Sequence, residues 1–234
     1  IVTFAGSMLG PGHVQQTSHG GGVTLGRLPQ AQRPDDPVLE RAHQLLEIAL
    51  PVHRTTNLRG ARWSKLAFNC AVSSLGTVGG DRLGVLMQRR FVRRLLLEVI
   101  TEVVALAHAE DIELPRLAGM LDLDWLALEE REHHAALGHP SLLVKHTVLL
   151  AAGTRYRKMR SSMLRALERG RTPPVDFLNG EVTERAPRHG IPTPVNAALQ
   201  QTIHELARGH DRPALATLER VYDTTRSGPY AAAS

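Results

Sequence analysis

The sequence holds a single cysteine, Cys70, among 234 residues. An internal disulfide framework is excluded, and the chain suits a reducing compartment such as the cytoplasm. Aromatic residues make up only 4%, too few for the stacking platforms that hold single-stranded nucleic acid. No apolar run approaches the roughly twenty residues of a membrane-spanning helix. No secretory leader is visible: the chain opens on Ile1-Val2-Thr3-Phe4, a β-type run expected in the middle of a fold. Also missing is a G-x-G-x-x-G turn between a strand and a helix. Gly20-Gly21-Gly22 leads into no amphipathic helix and reads as a loop, not as a phosphate cradle. Although there are 12 histidines, H-E-x-x-H is absent. Glu130, His133 and His134 read as a solvated helix face, because adjacent helical histidines point about 100° apart.

What is present is an ordinary globular composition, 42% hydrophobic and 22% charged, with a net charge of +5. The arginines are interleaved with Leu, Val and Glu at helical spacing. The basicity is therefore expected to be a solvated surface, with neither nucleic acid nor membrane as a partner. Arg89, Arg90, Arg93 and Arg94 form such a ridge, pairing with Glu98.

Two textures divide the chain. Up to residue 57 it is turn-rich, with short strands expected at Gln15–Ser18, Val23–Leu25 and Val52–Thr55. Between the last two runs a helix from Pro37 to about Leu50, with Asp36 as N-cap and proline at its first position. Val38, Ala42, Leu45, Leu46 and Ala49 would face inward. From 58 to about 225 nearly everything has a period near 3.6. Helices are expected over Arg62–Leu75, broken at Gly76; from Asp81 to Met87; over Phe91–Ala109; over Leu121–Ala136; over Leu142–Leu167, broken at Gly153; over Val175–His189; over Pro194–Arg208; and over Pro213–Tyr222. On the helix from Phe91, the residues Leu95, Ile100, Val103, Val104 and Ala107 face inward. Residues 226–234 read as a frayed tail.

Four ordered patterns then resemble the ketopantoate reductase family. Gly10-Pro11-Gly12 with Gly20 to Gly26 is similar to the turns ending the family's nucleotide-binding domain. Trp63-Ser64-Lys65-Leu66-Ala67-Phe68-Asn69 is similar to its W-x-K-L-x-x-N helix. Ser161-Ser162-Met163-Leu164 with Asp176-Phe177-Leu178-Asn179-Gly180 resembles S-S-M-L…D-x-x-N-G. His189-Gly190-Ile191-Pro192-Thr193-Pro194-Val195-Asn196 resembles H-G-I-x-T-P-x-N. The resemblance implies a mainly α fold. Its all-α C-terminal domain, of the 6-phosphogluconate-dehydrogenase C-terminal type, follows a truncated α/β Rossmann-like remnant over residues 1–57. It also implies NADPH-dependent reduction of a 2-keto acid like 2-dehydropantoate, with the cofactor loop outside this chain and the chain inactive alone. Homodimerisation belongs to the same expectation. The alternative is a non-catalytic helical dimerisation or binding module that keeps the fold without cofactor binding.

Ketone reduction needs a proton source and positive charge at the carbonyl oxygen. Lys65 offers both, and Asn69 and Ser73 follow it four and eight residues on, along one helix face. The resemblance makes Lys65 the general acid and Asn69 and Ser162 substrate ligands, with Ser73 standing where the family commonly has a second asparagine. Pro174 is a larger departure. The family's glutamate there accepts hydrogen bonds from the substrate hydroxyl, and proline has no side-chain acceptor. Pantoate specificity is therefore in question, with Asp176 or Glu181 as possible substitutes. Asp176 otherwise reads as a helix-start residue, Asn179-Gly180 as backbone packing, and Cys70 as a small buried residue.

Overall fold

The computed structural model describes residues 1–4, 6–16, 21–117, 121–134, 139–155 and 157–226. Two compact units form. One comprises residues 1–65 with 112–122, the other residues 66–111 with those from 123 onward. The first thus reaches past position 57 to Lys65. Within it the Asn57 amide donates to the Glu113 carbonyl at 2.9 Å, and the buried Ser64 hydroxyl donates to the Pro115 carbonyl at 2.8 Å.

In the first unit, β1 (Gly6–Gly10) and β2 (His13–Gln16) form an antiparallel hairpin with Met8 opposite Val14. The strand expected to start at Gln15 therefore starts earlier, because Pro11-Gly12 supplies the turn. Thr17 and Ser18 lie outside the described residues. β3 (Val23–Leu25), α1 (Pro37–Glu47) and β4 (Val52–Arg54) make a β-α-β unit whose strands are parallel, Val23 opposite Val52. Asp36 caps α1 as expected, accepting from the Leu39 amide at 2.9 Å. Its carboxylate also pairs with Arg27 at 2.7 Å, and that hydrogen bond holds its pKa down to about 2. The expected inward face of α1 is not buried, since no α1 residue is enclosed and Val38 is 66% exposed. Two short strands are too narrow to cover a helix face.

The second unit is helical. α2 (Leu58–Val78) enters it from the first. Then come α3 (Leu83–Leu86), α4 (Arg90–Ala109), α5 (Leu123–Leu126), α6 (Glu130–His134), α7 (Pro140–Arg155) and α8 (Ser162–Glu168). α9 (Asn179–Arg185), α10 (Pro194–Ala207) and α11 (Leu215–Arg226) follow. Short 3-10 turns, Pro174–Phe177 and Ala186–His189, flank α9. The central element is α4, which packs against α5, α7, α9, α10 and α11. All five residues expected to face inward on it are buried. The chain is mainly α, with a small sheet remnant. Among the described residues no helix is long and apolar enough to cross a membrane.

Several expected boundaries move. α2 continues through Gly76 and α7 through Gly153, because each glycine serves close packing. A Cβ on Gly76 would stand 3.1 Å from the Ser161 Cβ, and one on Gly153 would stand 2.6 Å from the Met87 Cβ. The stretch from Leu121 is two short helices, not one, and Ala136 lies outside the described residues. The helix expected over Val175–His189 is interrupted at Leu178, whose backbone (φ −119°, ψ −96°) leaves the helical region. Of the expected tail only Arg226 is described, as the last residue of α11.

The arginine ridge of α4 is only partly solvated. Arg94 is buried, pairs with Glu98 at 2.6 Å, and donates to the Glu132 and His133 carbonyls at 2.8 and 3.1 Å. It satisfies carbonyls at the end of α6, a role that requires burial. Nearby, Glu132 and Lys145 form a buried pair at 2.5 Å. Lys145 also donates to the Ala127 carbonyl at 2.8 Å.

His146, on α7, is 6% exposed, and its Nδ1 lacks a hydrogen-bond partner. Burial, and then repulsion from Arg93, Arg90 and Arg94, lowers its pKa from 6.5 to about 4. The unfolded chain therefore takes up this proton first. The stabilisation is complete above pH 6.5 and is lost as pH falls towards 4. Urea unfolding at pH 7 and pH 4.5 should differ by at most about 3 kcal/mol from this group. His146→Leu should remove that contribution, and a stability difference between pH 7 and pH 4.5 unchanged from the wild type would acquit His146.

Candidate functional site

The face of α2 that carries Lys65, Asn69 and Ser73 lies opposite the side buried by Trp63, Ala67, Cys70 and Ser74. All three candidate residues are half-buried. The core residues recur at helical spacing and turn the polar three outward together. The Lys65 ammonium donates to the Val2 carbonyl, and burial lowers its pKa. A lysine with a depressed pKa gives up its proton more readily, as a general acid near neutral pH requires. Among the described residues no hydrogen bond engages the side chain of Asn69 or Ser73.

The two serines of Ser161-Ser162 divide their work. Ser161 is buried and caps α8, accepting from the Leu164 amide at 3.3 Å. Its hydroxyl donates to the Ser73 carbonyl at 2.9 Å and lies 2.9 Å from the Thr77 hydroxyl. Ser162 is the first residue of α8 and is exposed, so it is not the cap. Ser161 thus joins the start of α8 to the turn of α2 at Ser73. Sequence reading passed over Ser161 and Thr77; the doubled serine before an apolar helix was the available signal.

A second connection reaches α2 from the other side. The Ser74 hydroxyl donates to Asn179 Oδ1 at 2.5 Å. Asn179 Nδ2 donates to the Cys70 carbonyl at 3.3 Å and to Asn196 Oδ1 at 2.9 Å. Asn196 Nδ2 donates to Glu102 Oε2 at 2.7 Å. Glu102 also accepts from the Val195 and Asn196 amides, at 2.8 and 2.9 Å, and so caps α10 from α4. Burial pushes its carboxyl up to about 8, against the downward pull of these donors. The expectation that Asn179-Gly180 shapes packing agrees with this geometry. Glu102 was not singled out from sequence, and Asn196 was read only as part of the H-G-I-x-T-P-x-N resemblance, because burial and long-range partners are invisible there. Cys70 is fully buried, and burial raises its thiol pKa.

Pro174 is exposed, and neither suggested substitute for a glutamate is idle. Asp176 is not simply a helix-start residue. It accepts from Gln200 Nε2 and lies against His204 Nε2, each at 2.8 Å, and the Gln200 hydrogen bond chiefly lowers its pKa. Glu181 pairs with Arg185 at 3.0 Å.

The β-α-β unit does not fit a dinucleotide. The start of α1, where a pyrophosphate would sit, is already taken by the Asp36 carboxylate bonded to the Leu39 amide. A second anion there would be repelled. No described residue supplies a glycine-rich cradle, so no cofactor step is assigned to these residues.

Comparison with known proteins matches residues 57–207 to the family described as Ketopantoate reductase PanE/ApbA C terminal. The 2-dehydropantoate 2-reductase of Vibrio cholerae is 29% identical over 156 residues, covering 67% of this chain and 44% of that protein. The 2-dehydropantoate 2-reductase of Pyrococcus abyssi is 25% identical over 203 residues, covering 85% of this chain and 56% of that protein. The chain spans about half the length of these relatives. Among solved structures, a PanE/ApbA family ketopantoate reductase from Ralstonia eutropha superposes with a TM-score of 0.64 at 24% identity, covering 89% of this chain and 58% of that one. The matched segment contains α2, α8, α9 and nearly all the polar connections just described, and this chain belongs to the ketopantoate reductase family, of which it carries the C-terminal region.

Proposed function

We propose that this chain is the substrate side of an NADPH-dependent reductase that converts a 2-keto acid to a 2-hydroxy acid. The observation that carries the reading is the outward face of α2, where a lysine of lowered pKa precedes two polar side chains left without internal partners. Lys65 is the general acid that delivers a proton to the carbonyl oxygen. Asn69 and Ser162 orient the substrate, with Ser73 assisting. Residues 1–57 act as the end of a Rossmann-like domain, and residues 58–225 act as the substrate domain. The reductase works in the cytoplasm, where the lone buried cysteine stays reduced. The test is NADPH oxidation by the full-length polypeptide with 2-dehydropantoate and with 2-keto acids lacking its hydroxyl. No turnover of any 2-keto acid would refute the reading.

Pro174 sets the specificity within this proposal. With no acceptor at 174, and with Asp176 and Glu181 engaged elsewhere, a hydroxyl-bearing keto acid gains little over one without it. Pro174→Glu is expected to improve kcat/KM for 2-dehydropantoate over 2-ketoisovalerate by about tenfold or more. An unchanged ratio would show that position 174 does not meet the substrate hydroxyl.

The second reading is a dimerisation module, and one observation favours it. On α7 the exposed residues include Leu143, Val144, Thr147, Val148, Leu150 and Ala151, none of them charged. A two-fold contact sets a patch against its own copy, so an uncharged apolar face suits a homodimer. Val148→Glu should shift sedimentation from dimer to monomer, and a wild-type chain that sediments as a monomer at every concentration would end this reading.

A further inference from the structure

We infer that Asn179 is a positioning residue for the α2 face, and that Glu102, Asn196 and Asn179 form a buried strut fixing the turn that carries Asn69 and Ser73. This rests on the reductase reading of that face. The strut reaches α2 at two atoms, the Cys70 carbonyl and the Ser74 hydroxyl. Cys70 directly follows Asn69, and Ser74 directly follows Ser73. Any shift of Asn179 is therefore passed to the two residues that present the polar side chains.

The strut has a direction, which follows from its far end. The Val99 carbonyl can only accept, and it takes one N–H of the Asn196 side chain at 3.4 Å, so the Asn196 NH2 is turned to this side, where it also meets Glu102 Oε2. That leaves the Asn196 oxygen for Asn179, which must answer with its own NH2. The Asn179 oxygen is then free only for a donor, and the Ser74 hydroxyl supplies one. Each amide orientation is dictated by its neighbour, and the series starts at a carbonyl group. Ser74, Asn179 and Asn196 are completely buried. In such surroundings a reversed amide would face donor against donor, so the alternative arrangement is costly. An apolar contact would tolerate sliding of α2 along its axis; this series does not.

The opposite side of the same turn is held by Ser161, through the Ser73 carbonyl. The turn from 69 to 74 is thus gripped from α8 and from α9. Groups that orient a substrate must be held within a fraction of an ångström, and supporting polar contacts provide that tolerance.

The test is a double-mutant cycle in the full-length reductase, reading kcat/KM for the 2-keto acid. Ser74→Ala and Asn179→Asp are the supporting changes, and Asn69→Ala is the reporter. Ser74→Ala removes one hydroxyl and guards against a variant that fails to fold. In the parent background each supporting change is expected to lower kcat/KM about 10- to 100-fold. In the Asn69→Ala background the same change should cost no more than about twofold, because the main substrate-orienting side chain it positions is gone and only the assisting Ser73 remains. Equal losses in both backgrounds would mark the strut as general scaffolding and overturn the inference while leaving the reductase reading intact. If Asn69→Ala alone leaves kcat/KM unchanged, the reductase reading of the face falls, and this inference falls with it.

Discussion

Lys65→Ala in the full-length reductase is expected to lower kcat about 10²- to 10⁴-fold, the usual loss when a positioned acid is removed. Two properties of Lys65 set this expectation. Its ammonium is held on the Val2 carbonyl, so its charge is placed. Burial lowers its pKa, so the proton is easier to give. In the proposed mechanism the substrate carbonyl oxygen would take the place of the Val2 carbonyl as acceptor, and the ammonium would first stabilise the negative charge growing on that oxygen and then protonate it. The pH dependence has a fixed sign. With Lys65 as the proposed acid, the free enzyme would need the protonated ammonium, so kcat/KM is expected to fall as pH rises through the Lys65 pKa, which lies below the ordinary value for lysine. Lys65→Ala should abolish the alkaline limb as well as the rate. Lys65→Arg should restore charge but little turnover, because guanidinium holds its proton too tightly to deliver it. Unchanged turnover in Lys65→Ala would remove Lys65 from the mechanism.

The parts of the fold legible in sequence are those set by local chemistry. Asp36 followed by proline marks the start of α1, and the apolar spacing on α4 picks out its buried residues. The failures have a common physical origin. Gly76 and Gly153 look like breaks, yet each lets one helix touch another element, a requirement fixed by tertiary packing. α1 carries an amphipathic pattern, but amphipathicity says only that a face wants cover. It does not say that two short strands provide it.

The site divides the same way. Lys65, Asn69 and Ser73 share a face by spacing alone, and α2 is helical throughout that stretch. The split between Ser161 and Ser162 needed the partner atoms, since either serine is a chemically adequate cap. Arg94 in the ridge reads as solvated until the α6 carbonyls are seen against it. Glu102 is the clearest case. In sequence it is one more charged residue on a helix with others, and only the approach of α10 makes it a cap.

That cap carries the largest expected effect on stability. Glu102→Ala leaves the Val195 and Asn196 amides and the Asn196 side-chain NH2 without their acceptor. All lie in buried surroundings, where each orphaned donor costs about 1–3 kcal/mol. Allowing for relaxation, the total is expected near 4 kcal/mol, which for a chain of this length lowers the melting temperature by about 8–16 °C. Glu102→Gln keeps one acceptor and should cost less than half of that. The pH dependence separates the two roles of the group. Burial raises its pKa from 4.5 to about 8, so the folded state retains a proton that the unfolded state has released. Its contribution is then complete below pH 4.5 and is lost as pH rises through 8. This is opposite in sign to His146, which fails on the acid side. The two windows overlap between pH 4.5 and 6.5, where the opposing slopes offset each other, so wild-type stability should be level there and fall at higher pH through the Glu102 group. Glu102→Gln should remove the fall above pH 6.5 and leave stability rising from pH 4.5 to 6.5, and His146→Leu should leave stability falling from pH 4.5 to 8. Thermal melts of the three proteins from pH 4.5 to 8.5 decide the matter. A Glu102→Ala chain that melts within 2 °C of wild type at pH 6 would show that the start of α10 does not depend on this carboxyl group.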